Sequence, residues 1–213
     1  SYSSSYETDE NGIMISCEFS VCSMVIQPIL KIRATWRITN SGKITVEMLV
    51  KREDEFPMLP RFGLRVFLPK DIAQVTYYGM GPMESYCDKH RASSHGKYTA
   101  TVLEMHEDYI RPQENGSHYD CDYVLMNSND REIAVYGDST FSFNASIYTQ
   151  EELTTKGHNF ELMPCDSTVL CIDYRQNGIG SFSCGYAELL DKYRLNDKEF
   201  CFKVELLPRL IGD

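Results

Sequence analysis

Short runs in which apolar residues alternate with other residues dominate the chain and predict β-strands. In the run KITVEMLV, for example, Ile44, Val46 and Met48 would face one side of a strand. The turn Asn40-Ser41-Gly42 separates two such runs and predicts a hairpin. Runs rich in β-branched and aromatic residues cover residues 12–19, 28–39, 43–50, 61–69, 73–80, 122–128, 132–137, 141–148, 167–174 and 199–207.

Helical signals are confined to two short stretches. In residues 149–159 (TQEELTTKGHN), Thr149 can cap the first turn, two acidic residues suit that turn, and Gly157 suits the end. Residues 183–195 could hold a second short turn of helix. About ten strands without intervening helices predict an all-β, antiparallel structure of two sheets. No repeat or low-complexity linker divides the chain, so we expect one domain over residues 1–213, with residues 1–12 as a polar lead-in.

Composition limits the kinds of molecule that the protein could bind and the cellular compartment in which it could function. The net charge is −10 and no Lys/Arg-rich run occurs, which argues against nucleic acid as a partner. No apolar run approaches the roughly 18 residues that cross a bilayer, so no membrane segment is expected. Most of the eight cysteines lie in apolar runs and no CxxC occurs, which favours free thiols in the cytoplasm over disulfides or a zinc site. The first residue is Ser1, and we expect a piece of a longer protein.

Two polar loops contain the candidate binding residues. In residues 79–93 (GMGPMESYCDKHRAS), Glu84, Tyr86 and Asp88 offer the mixture of carboxylates and an aromatic ring that recognises a pyranose. The alternatives are a long turn or, as we expect, a strand-to-loop rim that fixes the edge of the fold and holds these three residues in its hydrogen-bond network. Arg61, in the run 61–69, could pair with such carboxylates.

The second loop, residues 112–122 (PQENGSHYDCD), gathers Glu114, Asn115 and His118. Its alternative interpretation is a polar turn with Asn115-Gly116 at the tip. The chain contains no HxH, HExxH or GxSxG motif, so neither a metal site nor a serine nucleophile is predicted. A catalytic carboxylate pair cannot be chosen from 31 acidic residues without geometry, and we assign no catalytic residue to this chain.

Five strings in series carry a family resemblance: LPRFGLRVFLP, YYGMGPMESYCDKHRAS, YIRPQENGSHYDCDYV, FSFNASIYTQEEL and IDYRQNGIGSFSCG. In this order they resemble the C-terminal, small-chain domain of family 2 glycoside hydrolase β-galactosidases, over residues 25–208. The resemblance implies an antiparallel β-supersandwich of the galactose-mutarotase-like type. It also implies a parent enzyme that hydrolyses terminal β-galactosides such as lactose, with two glutamates on a TIM barrel, Mg²⁺ and a monovalent cation. No residue of this chain matches those glutamates or the Mg²⁺ ligands.

The resemblance further implies that this domain lends a loop to the sugar site of the barrel. The loop matches GIGSFSCG, and the contact position, tryptophan in some members, falls on Cys184 beside Ser183. Cysteine cannot stack on a sugar ring, so Phe182 is the nearest aromatic residue that could compensate. The alternative for Cys184 is a packed thiol in an ordinary turn.

Two other functions stay open from the sequence. An aldose epimerase would need a general base and a general acid, for which Glu114 and His118 could be nominated. A carbohydrate-binding or purely structural module would need neither. If the domain packs on a barrel, an exposed apolar patch should mark the interface.

Overall fold

Antiparallel β-structure makes up nearly all of the protein. The computed structural model describes residues 3–22, 28–53, 58–180 and 189–212. Within these ranges the strands are β1 Ser3–Asp9, β2 Gly12–Cys22, β3 Pro28–Thr39, β4 Ile44–Arg52, β5 Arg61–Pro69, β6 Gln74–Gly81, β7 Ser94–Thr101, β8 Ser117–Asn127, β9 Arg131–Ser146, β10 Ser167–Gln176 and β11 Glu199–Leu210. Every strand pairing is antiparallel. The all-β antiparallel prediction is confirmed, although the described strands form one continuous 11-stranded sheet where two sheets were expected.

The sheet folds over itself because the long strand β9 belongs to two layers. The main path runs β1-β2-β3-β4-β11-β9-β8-β6-β7, while β10 pairs with both β5 and β9. Residues 131–137 of β9 pair with β11, and residues 142–146 pair with β10. Phe62 of β5 meets Phe200 of β11 edge-on at 5.0 Å between ring centroids, and Tyr174 of β10 stacks on Phe200 at 4.5 Å. These rings pack the β5–β10 pair against the main sheet.

Alternation along the strands decides which side chains enter the space between the layers. In β4, Val46, Met48 and Val50 are buried, whereas Leu49 between them is exposed. Burying each such side chain contributes about 1.5–3 kcal/mol of hydrophobic stabilisation. The alternation predicted for residues 43–50 is therefore confirmed.

The two strands that the sequence pattern missed both lie at sheet edges. Strand β1 pairs only with β2, and its residues are all exposed, so the expected polar lead-in is in fact a strand over Ser3–Asp9. Strand β7 pairs only with β6 and is mostly polar. An edge strand buries few side chains and therefore carries little apolar alternation. Conversely, the predicted strands 132–137 and 141–148 are parts of one strand, β9.

The helical prediction for residues 149–159 is confirmed, with a shorter extent. Helix α1 covers Gln150–Thr155, and the Thr149 hydroxyl accepts a hydrogen bond from the Glu152 amide at 3.2 Å. In the second predicted stretch the described part holds a single 3₁₀ turn, Asp191–Tyr193, and residues 183–188 lie outside the described residues. Among the described ranges, no helix is long and apolar enough to cross a membrane.

The change of layer within β9 generates a stability prediction. A Cβ atom built at Gly137 would overlap the Ser139 carbonyl oxygen, so the exposed bend at residues 138–140 requires glycine before it. We expect Gly137→Ala to lower the free energy of unfolding by about 2 kcal/mol, measured by urea denaturation. In the control Gly157→Ala, the new Cβ meets only Glu161 Oε2, at 3.5 Å. Equal stability of the two variants would contradict this role for Gly137.

Candidate functional site

The loop between β6 and β7 is organised by a tight turn. The Tyr86 amide donates to the Lys89 carbonyl at 2.8 Å, and the Lys89 amide donates back to the Tyr86 carbonyl at 3.0 Å. This pairing leaves Cys87 and Asp88 at the tip of the turn. Glu84 and Tyr86 are buried on its inner side. The turn therefore places Glu84 and Tyr86 in a buried environment and Asp88 at the tip of the loop.

Glu84 is surrounded by hydrogen-bond donors from the protein itself. Its carboxylate accepts from the Tyr86 hydroxyl at 3.3 Å and from the Gly116 amide at 3.0 Å. The Lys89 ammonium and the Tyr109 hydroxyl donate to its other oxygen. Burial alone would raise the pKa of Glu84, but these hydrogen bonds outweigh it and hold the pKa below its ordinary value. Glu84 is thus an ionised anchor, and we call these five residues the Glu84 cluster.

Asp88 faces away from the Glu84 cluster and holds a different segment. Its two carboxylate oxygens accept from the amides of Ile179 and Gly180, each at 3.0 Å. A Cβ atom at Gly178 would overlap the Asp88 carboxylate, so glycine there permits this close approach. The turn at residues 86–89 is therefore fastened to the chain just after β10.

Arg61 lies between two carboxylates, neither of them in the loop 79–93. Its guanidinium binds Asp173 through two hydrogen bonds, at 3.1 and 2.5 Å, and forms an ion pair with Glu114 at 2.9 Å. The expectation that Arg61 pairs with carboxylates of the first loop was wrong. Burial lowers the pKa of Arg61, but attraction to Asp173 more than compensates and raises it. Burial, with the Asp173 charge nearby, raises the pKa of Glu114 despite the opposing charge of Arg61.

Asn115 lies between Glu114, which pairs with Arg61, and Gly116, whose amide binds Glu84, and its side chain closes the turn. Its side-chain oxygen accepts from the Glu107 amide at 3.0 Å, and its side-chain nitrogen donates to the Gln113 carbonyl at 2.9 Å. The Asn144 side chain donates to the Asn115 carbonyl. Both polar atoms of the Asn115 side chain are thus engaged within the protein.

His118 lies in the core. It is 2% exposed, its ring lies 4.4 Å from the ring of Tyr77 and 5.3 Å from that of Phe143, and its Nδ1 is 3.2 Å from the Met80 carbonyl oxygen. Burial lowers the pKa of His118 to about 4. A neutral, buried imidazole cannot protonate a sugar in solution. The pair nominated for epimerase chemistry is therefore not assembled for it.

The structure brings together some of the predicted binding residues and leaves others apart. Glu84 and Tyr86 share one cluster, and the Gly116 amide connects that cluster to the loop of Glu114 and Asn115. Three further predicted residues, Phe182, Ser183 and Cys184, lie outside the described residues. Within the described ranges, no group of three or more His, Cys, Asp or Glu residues is placed to hold a metal ion.

The sequence analysis did not predict two of these hydrogen-bond partners, Asp173 of Arg61 and Tyr109 of Glu84. Asp173 interrupts the apolar run STVLCIDY, and an acid in such a run signals a buried charge that needs a partner. Tyr109 carried no comparable signal, because it lies in a loop that lacks apolar periodicity.

Comparison with known proteins places the chain in a family. The family model for the beta galactosidase small chain matches residues 2–206. The chain belongs to the β-galactosidase small-chain family. It is 45% identical to a beta-galactosidase of Actinobacillus pleuropneumoniae over 97% of this chain, and 40% identical to one of Staphylococcus xylosus over 95%. The alignments cover 20% and 21% of those proteins, so the chain spans about a fifth of the length of the curated relatives it matches.

A solved structure supports the fold alone. The galactose 1-epimerase of Lactobacillus acidophilus matches with a TM-score of 0.53 and 11% sequence identity, over 97% of this chain and 66% of that one. The galactose-mutarotase-like fold expected from the resemblance is confirmed.

The Glu84 cluster predicts a pH-dependent contribution to stability. We expect Glu84→Gln to lower the free energy of unfolding at pH 7 by about 2 kcal/mol, since an amide cannot accept from all four donors. The pKa of Glu84 is lowered by folding, so its contribution is present above the ordinary glutamate pKa of 4.5 and is lost as the pH falls further. Urea denaturation from pH 7 to pH 3 should show the difference closing. The exposed control Glu7→Gln should change little, and a constant gap would contradict the assignment.

His118 predicts acid sensitivity of a different origin. Its pKa falls from the ordinary 6.5 to about 4 on folding, so only the unfolded chain gains a proton between these values. This group should therefore cost the fold about 2 kcal/mol between pH 7.5 and pH 5. His118→Gln, which keeps a donor for the Met80 carbonyl, should remove that part of the pH dependence in denaturation experiments. The exposed control His158→Gln should retain it, and an unchanged slope for His118→Gln would refute this origin.

Proposed function

We propose that this chain is an accessory domain of a β-galactosidase that hydrolyses terminal β-D-galactosides such as lactose. The observation that carries the proposal is the family match over residues 2–206, joined to 45% identity with a beta-galactosidase of which the chain spans about a fifth. The catalytic glutamates, on the TIM barrel that the resemblance implies, would then belong to the rest of the enzyme, as would its Mg²⁺ and monovalent cation.

The state of two buried carboxylates supports an accessory role. A retaining glycosidase needs two carboxyl groups about 5–5.5 Å apart and free to reach the scissile bond. Glu84 instead accepts from four protein donors, and Asp173 is bound by Arg61 through both oxygens. Glu84 joins two loops and Asp173 joins two paired strands, so both carboxylates stabilise the fold, as expected of a domain that supports a site on another domain.

An exposed apolar patch supports packing against the rest of the enzyme. Ile110 and Phe160 are each 81% exposed and Met163 is 67% exposed. The Asn159 amide donates to the Ile110 carbonyl at 3.1 Å, which holds the loops of Ile110 and Phe160 side by side. We call these three residues the Ile110 patch. Tyr109, the neighbour of Ile110, donates to Glu84, so the patch is attached to the Glu84 cluster. Contiguous exposed apolar residues commonly mark interaction surfaces.

Two finer features belong to the same proposal. Residues 182–184 would contribute to the sugar site of the barrel, with Phe182 offering the aromatic face that Cys184 lacks. A cytoplasmic location is supported by the seven described cysteines, all with free thiols, of which Cys121 and Cys171 are buried.

Complementation tests the accessory role. The parent enzyme lacking this segment should hydrolyse a nitrophenyl β-galactoside at least about 100-fold more slowly than the full-length enzyme. The reason is that its active site would lose residues that position the substrate. Adding the separately purified chain should restore much of the activity, and the chain alone should have none. The variant Ile110→Ser/Phe160→Ser should restore less, whereas the control Leu49→Ser, at an exposed site on β4, should restore as much as the unmodified chain.

Four outcomes would overturn the proposal. Unchanged kinetics after deletion would remove the accessory role, and hydrolysis by the chain alone would make it the catalyst. Faster anomeric equilibration of galactose in polarimetry with the chain alone would favour the epimerase. Binding of galactose by the chain alone, without any effect on the parent enzyme, would favour a separate carbohydrate-binding module.

A further inference from the structure

We infer that a cavity between β8, β9 and β10 is a binding site for a single neutral pyranose. The cavity has a volume of about 290 Å³. Ligand pockets in proteins typically measure about 300–1,000 Å³, so this cavity is at the small end and suits one sugar ring. We call it the Tyr119 cavity, and its lining includes Tyr119, Asp120, Ser139, Thr140, Phe141, Tyr174 and Arg175.

The Tyr119 cavity lies where all three strands depart from regular pairing. Strand β8 loses its register with β9 at Tyr119 and Asp120, and residues 137–140 of β9 bulge out of the same pairing. Strand β10 loses its register with β5 just before Arg175. Bulges re-aim side chains and are over-represented beside active sites. Their convergence on one cavity points to a binding role for this part of the sheet.

Asp120 combines an unusual backbone conformation with a carboxylate that the protein does not use. Its φ angle is +56°, and no other non-glycine residue in the described ranges has a positive φ. Residues in such sparsely populated conformations cluster at ligand sites. The Asp120 carbonyl oxygen lies 3.0 Å from His95 Nε2, but its carboxylate has no ion pair or hydrogen bond within the described part of the chain. The carboxylate is therefore available to accept from the hydroxyl groups of a ligand.

Three aromatic side chains of the Tyr119 cavity are held in place by their neighbours. Tyr119 stacks on His90 at 5.6 Å between ring centroids, and Tyr174 stacks on Phe200 at 4.5 Å. Phe141 is 2% exposed. Rings fixed in this way offer apolar surface at little cost in side-chain entropy, and the C–H face of a pyranose packs well against such surface.

The polar groups of the lining favour a neutral ligand over an anion. Ser139 and Thr140 contribute hydroxyl groups, which donate and accept as sugar hydroxyls do. The guanidinium of Arg175 already forms an ion pair with Asp197 at 3.1 Å, whereas the Asp120 carboxylate has no such pairing. The lining therefore has no excess of positive charge that would attract phosphate or another anion.

Titration of the purified chain with methyl β-D-galactoside, followed by NMR, tests the inference. The resonances of Tyr119 and Asp120 should shift with a dissociation constant of about 1 mM, as expected of a ligand of this size. The carboxyl resonance of Glu84, which does not line the cavity, should stay unchanged. Sorbitol, an acyclic polyol without a rigid apolar face, should bind at least about tenfold more weakly.

Two variants and a matched control locate the binding. Asp120→Asn keeps a residue that tolerates the left-handed conformation but removes the charge, so binding should weaken about fivefold. Tyr119→Leu, which removes the ring, should weaken it about tenfold. The control Asp122→Asn replaces an exposed acid that pairs with His95 and does not line the cavity, so binding should be unchanged.

Several results would overturn the inference. These are unshifted Tyr119 and Asp120 resonances up to about 50 mM sugar, equal binding of sorbitol, tighter binding of inorganic phosphate, or equal effects of Asp120→Asn and Asp122→Asn. If Tyr119→Leu fails to fold, the comparison of the two Asp variants still decides. The inference does not rest on the proposed function, and because the assay measures binding without catalysis, its failure would leave the accessory role standing.

Discussion

The need to compensate buried charge is the constraint that determines the arrangement of residues around Glu84 and Asp173. Removing a carboxylate from water is costly unless the protein supplies hydrogen bonds and an opposite charge. Glu84 meets this requirement with four donors drawn from two loops, and Asp173 meets it with the guanidinium of Arg61. Because the donors to Glu84 come from the loop before β7 and from the loop after it, satisfying this charge also holds the two loops together.

The sequence strings that carry the family resemblance contain the residues of these hydrogen bonds and ion pairs. The string GPMESYCD contains Glu84, Tyr86 and Asp88; LPRFGL contains Arg61; and PQENG ends at the amide that binds Glu84. Carboxylates that the sequence suggests as sugar-binding residues thus accept hydrogen bonds from the protein itself in the folded structure. This arrangement is consistent with a domain that shapes and supports a site and leaves bond cleavage to the rest of the enzyme.

The sequence predicts local features of this fold better than its long-range contacts. Strand alternation and the Thr149 cap depend on residues within a few positions, so the buried face of β4 and helix α1 could be predicted. The sequence pattern did not predict the edge strands β1 and β7, because exposed strands need no apolar alternation. The partner of Arg61 could not be chosen, since Asp173 lies 112 residues away and only the pairing of β5 with β10 brings them together. His118 was nominated as an acid because spacing does not reveal that Tyr77 and Phe143 enclose it.

The ionisation of Glu84 provides the most direct test of the claim that these polar residues are structural anchors. Carboxyl-carbon NMR of the purified chain should show Glu84 titrating below the ordinary value of 4.5, with no change in its resonance on addition of millimolar galactose. A titration above that value, or a resonance that moves with galactose, would show that the carboxylate is available to a sugar and would contradict the account.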